Sequence, residues 1–177
     1  MNFQIRTARV EDFAAITRIY EEAVLHGTAS YELVPPSEQE MITRWKSISE
    51  ARYPYLVADG HDHRILGYAY ASAFRTRPAY RWLAEDSVYL DPSARGQGVG
   101  TALLEALIDQ CEKSGYRQMI AAVGGASEAS IKLHARCGFE LAGRLRATGF
   151  KHGIWLDTVL MQRPLGPGCT TDPDLVF

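Results

Sequence analysis

The stretch Val88-Tyr89-Leu90-Asp91-Pro92-Ser93-Ala94-Arg95-Gly96-Gln97-Gly98-Val99-Gly100-Thr101 decides how the rest of the chain is read. Residues 84–90 read as a strand, and Asp91-Pro92 ends it because proline cannot continue a ladder. From Gly98 onward, Val99, Leu103, Ala106, Leu107 and Cys111 recur at helical spacing, giving a helix over about 98–114. A strand that feeds a glycine-rich turn into a helix aims unpaired backbone N–H groups at one point, where the helix dipole adds positive potential. A phosphate is the natural ligand. Glycine leaves no Cβ between amide and anion, and Arg95 adds a charged donor. Other glycine motifs fail. The dinucleotide fingerprint needs a glycine where Thr101 stands, and a P-loop needs Gly-Lys-Ser/Thr at its end. A glycine-rich helix start without a ligand is the plain alternative.

On the N-terminal side, residues 3–7 read as a strand. A helix follows over about 11–25, with Phe13, Ile16, Ile19, Tyr20, Ala23 and Val24 as its stripe. Ser37 and Glu40 have capping-box spacing and open a second helix. Strands over 55–58 and 65–74 are joined by the turn Asp59-Gly60-His61-Asp62-His63, so a hairpin is expected. On the C-terminal side come a strand over 117–123, a short helix over 127–136 closed by Gly138, and strands over 139–146 and 155–162. The fold class is α+β: a mostly antiparallel meander, one strand–helix–strand crossover, then a further helix and strands.

A chain of 177 residues fits one domain with a full core. A net charge of −2 offers no footprint for a nucleic-acid backbone, so no nucleic-acid partner is expected. No apolar run approaches a membrane span, and the start lacks the apolar core of a signal peptide, so a cytoplasmic protein is expected. Three cysteines (Cys111, Cys137 and Cys169) are too few and too scattered for a disulfide framework or a zinc site. The histidines His61 and His63 read as surface residues and no metal is expected. Three prolines and two glycines within residues 164–177 predict a loosely ordered tail beyond a domain of residues 1–163.

Arg95-Gly96-Gln97-Gly98-Val99-Gly100 resembles the pyrophosphate loop of the GNAT N-acetyltransferases, Arg/Gln-x-x-Gly-x-Gly/Ala. The segment Ser130-Ile131-Lys132-Leu133-His134-Ala135-Arg136-Cys137-Gly138-Phe139 looks like that superfamily's later helix and Gly-Phe turn. Two further stretches, Ala84-Glu85-Asp86-Ser87-Val88-Tyr89-Leu90 and Gly149-Phe150-Lys151-His152-Gly153-Ile154-Trp155-Leu156-Asp157, are similar to the phosphinothricin/methionine sulfoximine acetyltransferase branch. The resemblance extends to about Arg163. It implies the GNAT (acyl-CoA N-acyltransferase) fold, acetyl-CoA as co-substrate, a small-molecule amine as acceptor and a homodimer.

Amide formation from a thioester needs a base, stabilisation of an oxyanion, and an acid for the leaving thiolate. The resemblance makes Glu85 the base; on its own it reads rather as a solvated strand-end acid beside Asp86. It makes the Leu90 N–H the oxyanion donor, and implies that Val88, Tyr89 and Leu90 offer a free strand edge to CoA, with Arg95, Gly96, Gln97, Gly98, Val99, Gly100 and Thr101 around its pyrophosphate. His134 stands where many relatives carry a tyrosine, as it does in this branch, and its titration range suits the thiolate acid; a helix-face histidine bonded to a carbonyl is the competing reading. Ser127 stands where relatives often have asparagine, and Ser127 and Ser130 are assigned to the cofactor. For the acceptor, Arg75 and Arg77 offer guanidinium forks suited to a carboxylate or phosphinate, and Tyr80, Tyr31 and Lys151 complete the expected lining. Solvated arginines and a core tyrosine are the bland alternatives. The function expected is acetyl transfer to the α-amine of phosphinothricin, methionine sulfoximine or methionine sulfone, by direct attack. An acetyltransferase acting on another amine, such as a protein N-terminus, a polyamine or an aminoglycoside, and a CoA-binding regulatory module without turnover are the alternatives.

Overall fold

The computed structural model describes residues 2–173. The elements run β1 (Phe3–Thr7), α1 (Phe13–His26), α2 (Glu38–Glu50), β2 (Tyr55–Gly60), β3 (Ile65–Ala73), β4 (Leu83–Leu90), α3 (Val99–Lys113), β5 (Gln118–Gly124), α4 (Glu128–Arg136), β6 (Glu140–Lys151) and β7 (Ile154–Pro164). Among the described residues they form one seven-stranded sheet in the order β1-β2-β3-β4-β5-β7-β6. Every pairing is antiparallel except β4 with β5, the two strands joined through α3. The expected meander and single crossover are both present.

Strand alternation divides the interior in two. On one face, Leu56, Ala58, Ala69 and Ala84 meet the buried stripe of α3, which includes Val99, Leu103, Leu107 and Cys111. On the other, Tyr55, Val57 and Tyr68 meet Phe13, Ile16, Tyr20 and Val24 of α1 with Met41 of α2. β2 is therefore buried along its whole length, as a strand covered by helices on both sides must be. Ser37 caps α2 by accepting the Glu40 N–H at 3.2 Å. An ion-paired cluster fixes the sheet edge: Arg6 of β1 bonds Asp12 and Asp59, each at 2.8 Å.

Two features depart from the sequence reading. The last hairpin is longer than expected, since β6 runs on past residue 146 to Lys151 through register shifts at Leu141/Gly143 and Leu145/Gly149. The chain after 163 is also better anchored than its composition suggests. Pro164 ends β7, Leu165 is fully buried, and the Arg117 guanidinium donates to the Thr171 and Asp172 carbonyls. The remainder of the predicted tail, residues 174–177, lies outside the described residues.

Candidate active site

The site begins where two parallel strands part. β4 and β5 pair only from Leu83↔Gln118 to Asp86↔Ala121, whereas β5 continues along β7 as far as Gly124↔Thr158. Beyond Asp86, β4 keeps β3 on one side and loses its partner on the other. The direction of its free groups follows from one bond: Asp91 N–H donates to Leu66 O of β3 at 3.0 Å. Donors alternate along an antiparallel strand, so Tyr89 and Ser87 also address β3, and the N–H groups of Leu90 and Val88 point to the open edge. A cavity of about 120 Å³ fills the gap, bordered by Asp86, Val88 and Tyr89 of β4 and by Ser127, Ser130 and His134 of α4. Ala29, from the loop between α1 and α2, reaches it from the other side of the sheet. A larger hollow of about 390 Å³, bordered by Trp45, Arg52, Tyr53 and Gln110, lies at the ends of α2 and α3 and holds none of the expected site residues.

The glycine-rich turn sits at the end of the open edge. Asp91 folds it by accepting the Ser93 N–H at 2.9 Å, and the Gln97 side chain donates to the Ser93 carbonyl. Gly96 and Gly98 have φ of +73° and +81°, the left-handed region that glycine enters without strain. Gly98 is the N-cap of α3, with no side chain capping the helix, and the first bond is Ala102 N–H to Gly98 O at 3.1 Å. The amides of Val99, Gly100 and Thr101 therefore precede any helical acceptor. A Cβ at Gly96 or Gly98 would meet nothing within 4 Å. That open cradle of uncapped amides beside the exposed Arg95 fits the pyrophosphate of CoA. At Gly100 the space is taken instead by Leu90 and Leu133, 3.3 and 3.4 Å from a Cβ, so this glycine seats α3 against β4 and α4.

Alternation along β4 places two neighbouring acids on opposite faces. Glu85 is half-buried on the α1 side, where burial pushes its carboxyl pKa up, the Asp86 charge adds to the rise, and Arg75 opposes it. Asp86 is buried on the α3–α4 side, with Oδ2 2.9 Å from His134 Nε2. His134 Nδ1 lies 2.7 Å from the Ser130 carbonyl, so the helix-face reading of this histidine is correct in its carbonyl bond, yet the ring also borders the cavity. Burial lowers the His134 pKa, but the bond and charge of Asp86 with the Ser130 carbonyl outweigh it, and the pKa stands above its ordinary value. Ser127 caps α4 by accepting the Ser130 N–H at 3.4 Å, which occupies its oxygen, while its side remains on the cavity.

The acceptor residues are less closely gathered. Arg75 is exposed, stacks over Phe74 at 4.8 Å, and is near enough to act on Glu85. Arg77 and Tyr80 are exposed outside the cavity lining, Tyr80 against Phe74 at 6.1 Å. Two expectations are corrected. Lys151, expected to meet the acceptor, is buried, and its ammonium donates to the Ser30 carbonyl at 2.7 Å. Tyr31 does not line the cavity; its hydroxyl contacts Asp157 O at 3.0 Å and Thr158 Oγ1 at 2.8 Å, and accepts the Gly125 N–H at 3.3 Å. Both side chains pin the loop that carries Ala29 onto the last hairpin. Gly149 makes room for that pin, since a Cβ there would stand 2.8 Å from the Tyr31 ring. The residue that sequence reading missed is Asp86, whose two-residue alternation with Ala84 and Val88 was the available signal.

A parted pair of parallel strands, an uncapped glycine cradle at the helix between them and a carboxylate at the gap define an acyl-CoA transferase site. Residues 5–160 match the acetyltransferase (GNAT) domain, and the chain belongs to that family of acetyl-CoA-dependent N-acetyltransferases. Phosphinothricin N-acetyltransferase of Alcaligenes faecalis is 53% identical over 171 residues, 96% of this chain and 86% of that one. The L-methionine sulfoximine/L-methionine sulfone acetyltransferase of Pseudomonas paraeruginosa is 37% identical over 94% of this chain and 97% of that one. The crystal structure of a GNAT phosphinothricin acetyltransferase from Sinorhizobium meliloti in complex with AcCoA superposes with a TM-score of 0.97 at 55% identity, covering 99% of this chain and 95% of that one.

Proposed function

We propose that the protein transfers acetyl from acetyl-CoA to the α-amine of a small amino-acid analogue, with phosphinothricin, methionine sulfoximine and methionine sulfone as acceptors. The observation that carries the reading is the gap between β4 and β5, which is bordered from both faces of the sheet. The activities named for the relatives support the acceptor class.

When bound, acetyl-CoA supplies an activated thioester acetyl. The turn from Arg95 to Thr101 holds its pyrophosphate, and the edge amides of Val88 and Leu90 align the arm that leads to the thioester. Glu85, on the α1 side, takes a proton from the acceptor ammonium; its raised pKa makes it a stronger base. The Leu90 N–H donates to the acetyl oxygen as negative charge develops there. His134, on the α4 side, gives a proton to the departing sulfur, breaking an N–H bond and forming S–H. The second proton that the amine nitrogen loses in becoming an amide restores the ring. Arg75 supplies positive charge for the acceptor's acidic group. Among the described residues that line the cavity there is no cysteine, which supports direct attack.

We also propose a cytoplasmic homodimer. The free thiols of Cys111 and Cys137 fit a reducing compartment. Leu141, Leu145, Phe150, Ile154 and Trp155 of the last hairpin are exposed, an apolar surface at a sheet edge that a second copy would cover. The test of the chemistry is Glu85→Gln, which keeps the shape and removes the base. The expected loss in kcat/KM is about 10²–10⁴-fold, and near-wild-type turnover at neutral pH removes Glu85 from the mechanism.

A further inference from the structure

We infer that Asp86 is a positioning residue that holds His134 in its doubly protonated form beside the cleft. The inference rests on the reading of His134 as the thiolate acid, and adds a residue that reading does not contain.

The partners of the His134 ring fix which of its nitrogens carry hydrogen. A backbone carbonyl only accepts, so the Ser130 carbonyl, 2.7 Å away, requires a hydrogen on His134 Nδ1, and the Ser130 hydroxyl, farther off at 3.3 Å, shares that hydrogen as a second acceptor. An ionised carboxylate also only accepts, so with Asp86 charged its Oδ2, 2.9 Å away, takes a second hydrogen from Nε2. A ring that donates from both nitrogens is an imidazolium. Burial alone works against that charge: His134 is 4% exposed with Phe139 edge-on at 5.1 Å, so the imidazolium needs the carboxylate of Asp86 beside it.

Asp86 needs the same partnership. It is 6% exposed, and its Oδ1 is buried without a hydrogen-bond partner among the described residues. A carboxylate buried with one oxygen unmet is costly unless a cation stands against the other. Among the described residues, His134 is the one cation-forming group that bonds the Asp86 carboxylate. On α3, the Cys111 thiol is pushed up to about 12 by burial with the Asp86 charge adding, so it stays neutral. At the end of α4, the Cys137 thiol is raised by burial, then by Glu105 and Asp86, with Arg163 opposing. On β4 itself, Glu85 lies on the opposite face and repels. His134 is the counter-ion of Asp86, and Asp86 is what keeps a buried imidazole charged. The rise in the His134 pKa against its burial agrees with this geometry.

The test uses the full-length protein and two readouts. In wild type, ring ¹⁵N shifts of His134 near pH 7.5 are expected to show both nitrogens protonated. In Asp86→Asn, the amide can donate to Nε2, so the ring keeps its place and loses the charge. Its titration midpoint should then fall below the wild-type midpoint, and kcat on the alkaline side should drop at least about tenfold, with KM for acetyl-CoA little changed. A neutral wild-type ring overturns the inference even if the variant fails to fold, and so does an unmoved midpoint. If the midpoint falls while the alkaline limb of kcat stays, Asp86 acts as inferred, and it is the assignment of His134 as the acid that fails.

Discussion

Glu85 and Asp86 are adjacent in sequence and have different surroundings because a strand turns successive side chains to opposite faces. Glu85 is on the side bordered by α1 and its following loop, Asp86 on the side of α4 and the cofactor turn. The pH dependence of the base follows from its surroundings. Burial first, then the Asp86 charge, raise the Glu85 pKa against the pull of Arg75. A general base works only when deprotonated, so kcat/KM should climb as pH rises through a midpoint raised from the ordinary value of a glutamate. In Glu85→Gln that limb should disappear, which a pH–rate profile of the two proteins measures; a limb that survives belongs to another group. The candidacy of Glu85 as the base was legible through the resemblance carried by the motif around it. The bond of Asp86 to His134 was not, because its partner is 48 residues away and meets it only once α4 docks on β4. Lys151 was assigned to the acceptor for a related reason: the Ser30 carbonyl that takes its ammonium lies 121 residues away in the chain.

At the level of elements, the glycine turn shows why this site can be read from sequence. Its function is local. The backbone conformation, the helix start and the open amides all lie within the fourteen residues quoted at the outset. Gly98 carries φ +81° and has open space where a Cβ would stand. Gly98→Val should therefore add about 1–2 kcal/mol of backbone strain and place methyl groups where the pyrophosphate approaches. Calorimetry should show acetyl-CoA binding weakened by about tenfold or more. Gly115→Val is the control for strain, since Gly115 has φ +87° and equally open space at the far end of α3. Equal affinity losses in the two variants would reject the cradle. Other elements were read less well because they depend on contacts across the chain. The last hairpin runs past its expected end through two register shifts, and nothing local signals that Gly149 must yield to Tyr31.

For the whole molecule, the sheet does two things at once. Between β4 and β5 it opens to join the two faces, and at β6 it ends in a hairpin with exposed apolar side chains. A homodimer across that hairpin predicts twice the chain mass in sedimentation or light scattering. Trp155→Glu, which puts a charge at a side chain 67% exposed, should shift the population to monomer without unfolding it. A wild-type monomer at micromolar concentration contradicts the dimer. The order of the meander and the single crossover was legible, because each element rests on periodicity within one segment; how the helices divide between the two faces of the sheet came only with the structure. Which acceptor residues converge was not, since Arg75, Arg77 and Tyr80 lie on an exposed connection between β3 and β4.

The claim on which the rest depends is that this gap acetylates the α-amine of a small amino-acid analogue. The direct measurement is the initial rate of thiol release from acetyl-CoA with methionine sulfoximine, phosphinothricin, a polyamine and a short peptide at equal concentration, with the product identified by mass. The account predicts release driven by the two amino-acid analogues and an N-acetylated product of each. Faster turnover of the polyamine or the peptide would contradict the acceptor. Tight acetyl-CoA binding with no release stimulated by any amine would contradict catalysis itself.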